Sequence, residues 1–410
     1  MSPENKDHNV DDIVLIFTLF KDKGSFAFIY IKENYFILII TMPSNMYAVS
    51  LGKITELKNT PLFENVEIKP YEASLLHDIH CKYMCVFDDV VSLDNSEDYI
   101  TVSDIIQYRS KRIGMMNGVA IYELIPEEMM YLRLMEKVKN YGRVKTDRTG
   151  VGTCSLFGER LTFSLHSQKL PVMTSKKVPV SIVLKELIWF IHGETDNKKL
   201  KEQNVHIWDK NGARETLDRL GFHDREEDDL GPIYGYQWRH WGSVYPNKEG
   251  GIDQLKGIIH TLKNNPHNRR MILNAWNVSD LSQMALPPCH LLCQFYVTTH
   301  TPPRLSCNLY QRSGDIFLGV PFNITSYSAL THIIAHMVGM EAHELNMFFG
   351  DVHLYNNHVH QATEQISRSL FSFPTFEVTN VQKDIDTLTM QDLHVSNYKS
   401  HPKITADMAV

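Results

Sequence analysis

The sequence changes character near Pro126, and this change decides what the 410-residue chain can fold into. Before Pro126, short β-branched and aromatic runs occupy residues 13–20, 25–31 and 35–41. Polar stretches typical of hairpin turns separate these runs. We therefore predict a small sheet in this region, to which two weaker strand candidates, residues 83–91 and 102–108, could add.

Pro126 also opens the first helix of the second region. Proline suits the first helical position, and Glu127 and Glu128 place negative charge in the first turn. Apolar residues with helical spacing follow before Gly142 ends the pattern, namely Tyr131, Leu134, Met135 and Val138. At about 100–200 residues per domain, the length predicts two domains: a module of unknown function over residues 1–125 and a larger one over residues 126–410.

The second region has the pattern of an α+β fold. Helices are predicted at residues 182–190, 252–262 and 327–337, and strands at residues 271–276, 291–298, 304–310 and 315–318. Strands that are clustered between helices indicate a mainly antiparallel or mixed sheet with helices packed on it.

Composition excludes several classes of protein. Hydrophobic residues make up 43% and charged residues 22%, which argues against wholesale disorder. The net charge of −7 argues against general nucleic-acid binding. The polar start and the lack of a run of about 20 apolar residues predict neither a secretory signal nor a membrane span. We expect a cytoplasmic protein whose six cysteines are reduced thiols.

Cys289 is the best candidate for a nucleophile. Pro287 and Pro288 precede it and fix the backbone, and an apolar strand follows. A free cysteine is usually just buried, so the chemical role depends on a nearby cation that favours the thiolate.

Arginines in turns could supply that cation and also hold an anion. Arg148, Arg312 and the pair Arg269 and Arg270 lie in polar turns or next to predicted strands. Guanidinium groups bind phosphate through two parallel hydrogen bonds, so several of them would make a phosphate site. Each could equally be a solvated surface residue, and sequence alone does not show that they converge.

Two polar residues lie within or directly after apolar stretches of the sequence. Glu186 lies within a predicted apolar helix, where a buried carboxylate would have a raised pKa and could transfer protons, unless it reaches the edge of the helix. Asn323 precedes a predicted helix, and from its position alone it would be an N-cap. The histidines lack a full ligand set, so we expect no metal.

In the second region, eleven short motifs in one order resemble the thymidylate synthase family over about 285 residues. They are DRTGVGT (147–153), ELIWF (186–190), IWD (207–209), GPIYG (231–235), QWR (237–239), NRR (268–270), PPCH (287–290), QRSGD (311–315), GVPFN (319–323), GDVHLY (350–355) and MAV (408–410). So many motifs in one order make the resemblance highly specific.

The resemblance implies reductive methylation of dUMP to dTMP, with 5,10-methylenetetrahydrofolate as donor of the carbon and the hydride and dihydrofolate as product. Cys289 would attack C6 of the uracil ring and so make C5 nucleophilic. Arg312 would favour the thiolate and bind phosphate. Glu186 and Tyr234 would organise water and move protons.

The same resemblance implies the binding residues. Arg148, Arg312 and Ser313 would hold the phosphate, joined by Arg269 and Arg270 of the partner subunit in a homodimer. Asn323 would hydrogen-bond the edge of the uracil ring, since its amide offers a donor for O4 and an acceptor for N3–H. His353 and Tyr355 would bond the ribose hydroxyl. The folate side would be formed by Asp315, Trp208, Asn211 and the closing C-terminal residue Val410.

Departures from the family pattern are modest. Residues 299–303 are longer than usual between two strands, and residues 403–408 differ from the usual tail. The first 125 residues are not explained by the resemblance. In some lineages the synthase is fused behind dihydrofolate reductase, but this module is short for that enzyme and lacks its Gly-Gly pair, so an unrelated accessory module and a divergent reductase both stay open.

Two alternatives to methylation follow from the same residues. In a dUMP hydroxymethylase, water rather than hydride would react with the exocyclic methylene intermediate. In an inactive scaffold, the N-terminal module would recruit a partner, although every matched catalytic residue is intact.

Overall fold

A computed structural model of the chain describes the backbone of six strands between residues 12 and 124. It describes residues 127–146, 150–379 and 384–407 in full. The chain divides into two compact units, Met1–Pro126 and Glu127–Val410. Among the described residues, no helix is long and apolar enough to cross a membrane.

The first unit contains a six-stranded sheet. Its strands are β1 (Asp12–Thr18), β2 (Phe26–Lys32), β3 (Tyr35–Thr41), β4 (Tyr83–Phe87), β5 (Ser110–Met116) and β6 (Val119–Leu124). They lie in the order β3-β2-β1-β4-β6-β5, and among these described strands only β1 and β4 pair in parallel. The three predicted N-terminal strands and the start of the one predicted at residues 83–91 are confirmed. The candidate at residues 102–108 lies outside the described residues.

The second unit alternates helices and strands. Its helices are α1 (Glu127–Tyr141), α2 (Val180–Ile191), α3 (Lys198–Lys201), α4 (Asp209–Gly212), α5 (Arg214–Arg219), α6 (Tyr234–His240), α7 (Gln254–Asn264), α8 (Gly319–Met337) and α9 (Val359–Ile366). Its strands are β7 (Arg143–Lys145), β8 (Thr153–Ser164), β9 (Ile272–Asn274), β10 (His290–Val297), β11 (Arg304–Asp315), β12 (Glu341–Tyr355), β13 (Thr375–Val378) and β14 (Leu393–Ser396).

A large mixed sheet organises this unit. Its order is β7-β8-β12-β11-β10-β9, with β11 and β12 parallel and the other neighbours antiparallel. One face carries Leu309, Leu345 and Phe295, which are buried in the hydrophobic core against α8 and α1. The prediction of a mixed sheet with packed helices is confirmed. Because β10 and β11 are adjacent, the sheet brings the ends of two motif-bearing strands together.

The strand predicted at residues 315–318 is wrong. Strand β11 continues through Asp315, and residues 316–318 then turn into α8. The cause is local: Oδ1 of Asp315 accepts hydrogen bonds from the backbone N–H groups of Phe317 at 3.0 Å and Leu318 at 3.1 Å. A side chain that bonds its own following backbone favours a turn over an extended strand.

Two helix boundaries also differ from prediction. Helix α8 begins at Gly319, eight residues before the predicted start at residue 327, because Pro321 is tolerated in the first turn of a helix. Asn323 therefore lies inside the helix, and its interpretation as an N-cap is wrong. Helix α7 begins at Gln254 because the side chain of Asp253 caps it by accepting from the N–H of Lys256 at 2.9 Å.

Candidate active site

Cys289 lies at the entry of β10, held by contacts to its own backbone. Its N–H donates to the Tyr234 hydroxyl at 2.8 Å, and its carbonyl accepts from the N–H of Arg312 on β11 at 2.8 Å. The β10–β11 register shifts between His290 and Leu292, next to Cys289. Such a shift re-aims neighbouring side chains, and the Cys289 side chain stays half-buried rather than joining the core.

Arg312 is the cation that the nucleophile interpretation requires. Its Nη2 lies 3.8 Å from Cys289 Sγ. The guanidinium is fixed by Nε donating to the Pro288 carbonyl at 2.7 Å and Nη2 donating to the Pro287 carbonyl at 2.8 Å, and it lies 5.3 Å from the Trp276 ring centroid. The two prolines therefore position the arginine as well as the cysteine. A fixed guanidinium at this distance stabilises a thiolate.

A buried aromatic cluster supports the backbone of Cys289. The Tyr234 ring stacks on His290 at 4.1 Å between centroids, and Nδ1 of His290 lies 2.8 Å from the Tyr327 hydroxyl. Burial lowers the pKa of His290 to about 3 and raises the pKa of Tyr234 well above its usual range. Both groups are therefore neutral near pH 7, so Arg312 is the cation that the described contacts bring to Cys289 Sγ.

Glu186 lies on α2 with its carboxyl hydrogen-bonded to the indole of Trp208. The Trp208 indole N–H donates to Glu186 Oε1 at 2.7 Å, and the Trp208 ring lies 6.1 Å from that of Tyr234. Burial raises the pKa of the Glu186 carboxyl to about 7, although the hydrogen bond from Trp208 opposes the shift. A carboxyl with this pKa can both give and take a proton near neutral pH. Glu186 is half-buried as a whole residue, and its carboxyl oxygen is held by the indole of Trp208.

Asn323 reaches the same site from α8. Its Oδ1 accepts from Nε2 of Gln311 at 3.0 Å, and the same Nε2 donates to the Ser313 carbonyl at 3.0 Å. Gln311 is buried on β11 and pairs in register with His290 on β10. With Oδ1 oriented in this way, the Asn323 amide NH₂ and the second lone pair of Oδ1 are the groups it can offer a ligand.

The far end of β11 lies beside the end of β12. Ser313 pairs with Asp351, and Asp315 pairs with His353. Nδ1 of His353 lies 3.1 Å from Oδ1 of Asp351, which lowers the pKa of Asp351 to about 2, and Lys145 adds an ion pair at 2.9 Å. Tyr355 packs edge-on against His353 with centroids 5.2 Å apart. These contacts fix the His353 ring orientation.

The remaining predicted residues fall into three groups. Asn211 lies on the short helix α4, where its N–H donates to the carbonyl of Trp208 at 2.9 Å. Arg269 and Arg270 are exposed just before β9, away from Cys289 in the described contacts of this chain. Arg148 and Val410 lie outside the described residues.

Four supporting residues were missed at the level of sequence: His290, Tyr327, Gln311 and Asp351. Three of them are buried inside apolar strands or helices, where they resemble ordinary core residues. The one available signal was a histidine directly after Cys289 in an otherwise apolar strand. Among the described residues, no group of three or more histidine, cysteine or acidic side chains could hold a metal ion.

Comparison with known proteins identifies the family. The sequence model described as thymidylate synthase matches residues 129–410. The chain belongs to the thymidylate synthase family. It is 47% identical over 296 residues to thymidylate synthase of Saccharomyces cerevisiae, an alignment covering 69% of this chain and 97% of the yeast protein. It is 48% identical over 300 residues to thymidylate synthase of Ascaris suum, covering 72% of this chain and all of that protein.

Fused enzymes of the same family are also similar to this chain. The bifunctional dihydrofolate reductase-thymidylate synthase of Leishmania major is 44% identical over 324 residues, covering 77% of this chain and 62% of that protein. The family resemblance of the second region and its identification as a methyltransferase are therefore confirmed.

Proposed function

We propose that the domain over residues 126–410 methylates dUMP reductively to dTMP, using 5,10-methylenetetrahydrofolate and releasing dihydrofolate. The observation that carries this proposal is the fixed Arg312 guanidinium 3.8 Å from Cys289 Sγ, within a chain of the thymidylate synthase family. A nucleophilic Cys289 requires a reduced thiol, which also supports the expected cytoplasmic location.

The chemistry begins with addition of the Cys289 thiolate to C6 of the uracil ring. The S–C6 bond forms as the C5–C6 double bond shifts its electrons towards C5 and O4, giving an enolate that reacts at C5. Glu186, with its pKa near 7, delivers protons towards O4 through ordered water, and the neutral Tyr234 hydroxyl helps to orient that water, through which the C5 proton leaves. C5 then attacks the folate methylene carbon, and loss of the C5 proton breaks the bond between that carbon and the folate nitrogen. Hydride transfer from the resulting tetrahydrofolate to the exocyclic methylene completes the methyl group, re-forms the C5–C6 double bond as the Cys289 thiolate leaves, and yields dihydrofolate.

Asn323 selects uracil over cytosine. Gln311 donates to Oδ1, so the Asn323 NH₂ group faces outward as a donor for uracil O4, and Oδ1 keeps a lone pair for N3–H. Cytosine offers the reverse pattern at these positions and would leave both groups unpaired. His353, oriented by Asp351, and the adjacent Tyr355 bond the ribose hydroxyl.

The nucleotide phosphate is held by arginines of two subunits. Arg312 lies next to Cys289, Ser313 follows it on β11, and we assign Arg148 to the same phosphate. Arg269 and Arg270 of the partner subunit complete the site. This assignment agrees with their exposure and with the lack of a side-chain ion pair to either among the described residues.

An apolar sheet face supports the homodimer. Register pairing places four residues on the face of the large sheet opposite the core: Ile272, Tyr296, Tyr310 and Phe348. All four side chains are exposed, and Tyr296 keeps 61% of its surface accessible to solvent. Contiguous exposed aromatic and aliphatic groups of this kind mark protein–protein interfaces. Arg269 and Arg270 border this face, at the edge strand β9, which is where a subunit bound to it would meet them.

The folate lies on the side formed by Trp208, Asn211 and Asp315. Asp315 uses Oδ1 to cap the turn before α8, and Oδ2 is the oxygen it can offer the pterin. Val410, the last residue, closes over both ligands and excludes water from the methylene intermediate.

Release of tritium from [5-³H]dUMP tests this proposal, with the Cys289→Ser variant as control. The wild-type chain should release tritium only with 5,10-methylenetetrahydrofolate, and the variant should release none. Equal release by both would refute a nucleophilic Cys289, and no release by either would favour the scaffold. Formation of hydroxymethyl-dUMP without dihydrofolate would show that the enzyme is a dUMP hydroxymethylase and not a dUMP methylase.

A second candidate activity concerns residues 1–125. The match to the Leishmania major bifunctional enzyme covers 77% of this chain, more than the 69–72% of the single-function relatives. A divergent reductase module would bind NADPH and reduce dihydrofolate, and an accessory module would do neither. Titration of the full chain with NADPH, followed by an assay for NADPH oxidation with dihydrofolate, decides between them.

A further inference from the structure

Glu128 is a buried carboxylate that gathers four hydrogen-bond donors from one two-residue segment. Its oxygens accept from the backbone N–H of Thr174 at 2.8 Å and from its hydroxyl at 2.6 Å. They also accept from the N–H of Ser175 at 2.7 Å and from its hydroxyl at 2.6 Å. The side chain of Glu128 is only 2% exposed. Burial raises the pKa of Glu128, and the four donors oppose that shift.

The segment that Glu128 holds leads directly to the turn after Asp315. Lys176, the next residue, donates from Nζ to the Phe317 carbonyl. The same Nζ lies 3.6 Å from the centroid of the Phe317 ring. One helical turn after Glu128, the Tyr131 hydroxyl donates to the Ile316 carbonyl at 2.7 Å. The first two turns of α1 therefore fix the backbone that follows Asp315 by two routes.

The same segment also holds the chain that leads to the C-terminus. The carbonyl of Thr174 accepts from the N–H of His401 at 2.8 Å. Arg368 donates from Nη1 both to the Ser175 carbonyl at 2.8 Å and to the Pro402 carbonyl at 2.8 Å. A displacement of residues 174–175 would therefore move both Asp315 and the approach to Val410.

We infer that Glu128 is a positioning residue for the folate side of the site, acting through residues 174–176 on Asp315 and on the C-terminal segment. This inference rests on the proposed function. A carboxylate fits its place because each oxygen faces a backbone N–H, which can only donate: Oε1 faces those of Thr174 and Ser175, and Oε2 faces that of Thr174 at 2.9 Å. A glutamine would turn its NH₂ group towards one of these N–H groups and force residues 174–175 to shift.

The test compares Glu128→Gln with Glu127→Gln. Glu127 is the adjacent buried carboxylate; it accepts instead from the N–H of Ser164 at 3.2 Å and forms an ion pair with Lys169 at 3.7 Å. We expect Glu128→Gln to raise KM for 5,10-methylenetetrahydrofolate about tenfold, with KM for dUMP within about twofold of wild type. Glu127→Gln should change neither KM, even where it lowers the melting temperature.

Equal rises in both KM values, or the same folate effect from Glu127→Gln, would overturn the inference and leave Glu128 a purely structural residue. If Glu128→Gln does not fold, Ser175→Ala removes one of the four donors and should raise the folate KM in the same direction by about threefold.

Equilibrium titration by intrinsic fluorescence, with dUMP alone and then with folic acid at saturating dUMP, gives the same comparison without turnover. A wild-type chain that bound both ligands but did not react would refute the proposed function alone. The folic acid affinity of the variants would still decide the role of Glu128.

Discussion

The Arg312 guanidinium donates hydrogen bonds to the carbonyls of Pro287 and Pro288, the two residues that precede Cys289. One short stretch of backbone therefore fixes both the cation and the thiol. Nη2 lies 2.8 Å from the Pro287 carbonyl and 3.8 Å from Cys289 Sγ. Proline at both positions restricts φ, and neither has an N–H that could compete for a partner. The arginine therefore does not need a carboxylate to hold it, which leaves its charge available to the thiolate and to a phosphate.

Replacement of Arg312 by lysine should lower kcat/KM about 100-fold or more. Lysine keeps the charge but cannot donate to both proline carbonyls and face the sulfur together, and charge-assisted hydrogen bonds contribute about 1.5–3 kcal/mol each. Peptide-resolved alkylation by iodoacetamide across pH should also show a smaller thiolate fraction of Cys289 at pH 7. Arg304→Lys is the matched control on the same strand, because Arg304 pairs with Glu341 at 3.4 Å instead. A wild-type alkylation profile in Arg312→Lys would contradict this role.

The stability of Glu186→Gln relative to wild type should rise between pH 5 and pH 8. Burial raises the pKa of the folded carboxyl to about 7, whereas an unfolded glutamate titrates near about 4.3. Between these values the unfolded chain loses a proton that the folded chain retains, so wild-type stability falls as pH rises. Glutamine does not titrate, and the rise should be on the order of 2 kcal/mol.

Urea denaturation at the two pH values measures this difference, and steady-state kinetics of the same variant should show a large loss of kcat. The measurement at pH 5 is the internal reference, since Glu186 is protonated in the folded wild-type chain there and most of the stability loss occurs between pH 5 and pH 7. A stability difference that does not change with pH would mean that Glu186 titrates normally.

Much of the fold followed from local pattern, and the errors have specific causes. The helix α1 was predicted from its proline start and apolar spacing, which depend only on nearby residues. The strand predicted at residues 315–318 was wrong because the Asp315 side chain bonds the next backbone N–H groups and turns the chain. The apolar character of residues 316–318 does not reveal that the Asp315 side chain bonds their backbone.

The site was predictable in its residues but not in its geometry. Sequence reasoning singled out Cys289, Glu186 and the arginines one by one, and the family resemblance assigned their roles. The proximity of Arg312 to Cys289 depends on the pairing of β10 with β11, which is a tertiary property. His290 and Tyr327 were missed because buried polar groups satisfied by each other look like core residues in sequence.

His290 should remain neutral from pH 5 to pH 8. Burial lowers its pKa to about 3, and its Nδ1 lies 2.8 Å from the Tyr327 hydroxyl. A neutral ring stacks on Tyr234 without adding a second cation beside Arg312. Nitrogen-15 histidine NMR, with the His290 signals assigned from a His290→Gln variant, should show no titration of His290 above pH 5. A midpoint between pH 6 and 7 would contradict this prediction.

A double substitution on the apolar sheet face, Tyr310→Glu with Phe348→Glu, should separate the subunits. The two residues pair in register on the exposed face, so a subunit interface there would bury two carboxylates without partners. Light scattering after size-exclusion chromatography should give the mass of one chain for this variant and of two for wild type. Val244→Glu, at an exposed apolar position in a loop, should stay dimeric. A dimeric double variant would place the interface elsewhere.

Mixing two inactive variants should restore activity if Arg269 and Arg270 act across the dimer. In a Cys289→Ser chain the arginines are intact, and in a chain with Arg269→Ala and Arg270→Ala the cysteine is intact. A dimer of one of each contains one site with both the thiol and the partner's arginines, because in a two-fold dimer each site receives the same groups from the opposite chain. After complete exchange, half of the dimers are mixed and half of their sites are whole, so about one quarter of wild-type activity should return. If the arginines served their own chain's site, neither site of the mixed dimer would be whole, and the mixture would stay as inactive as its components.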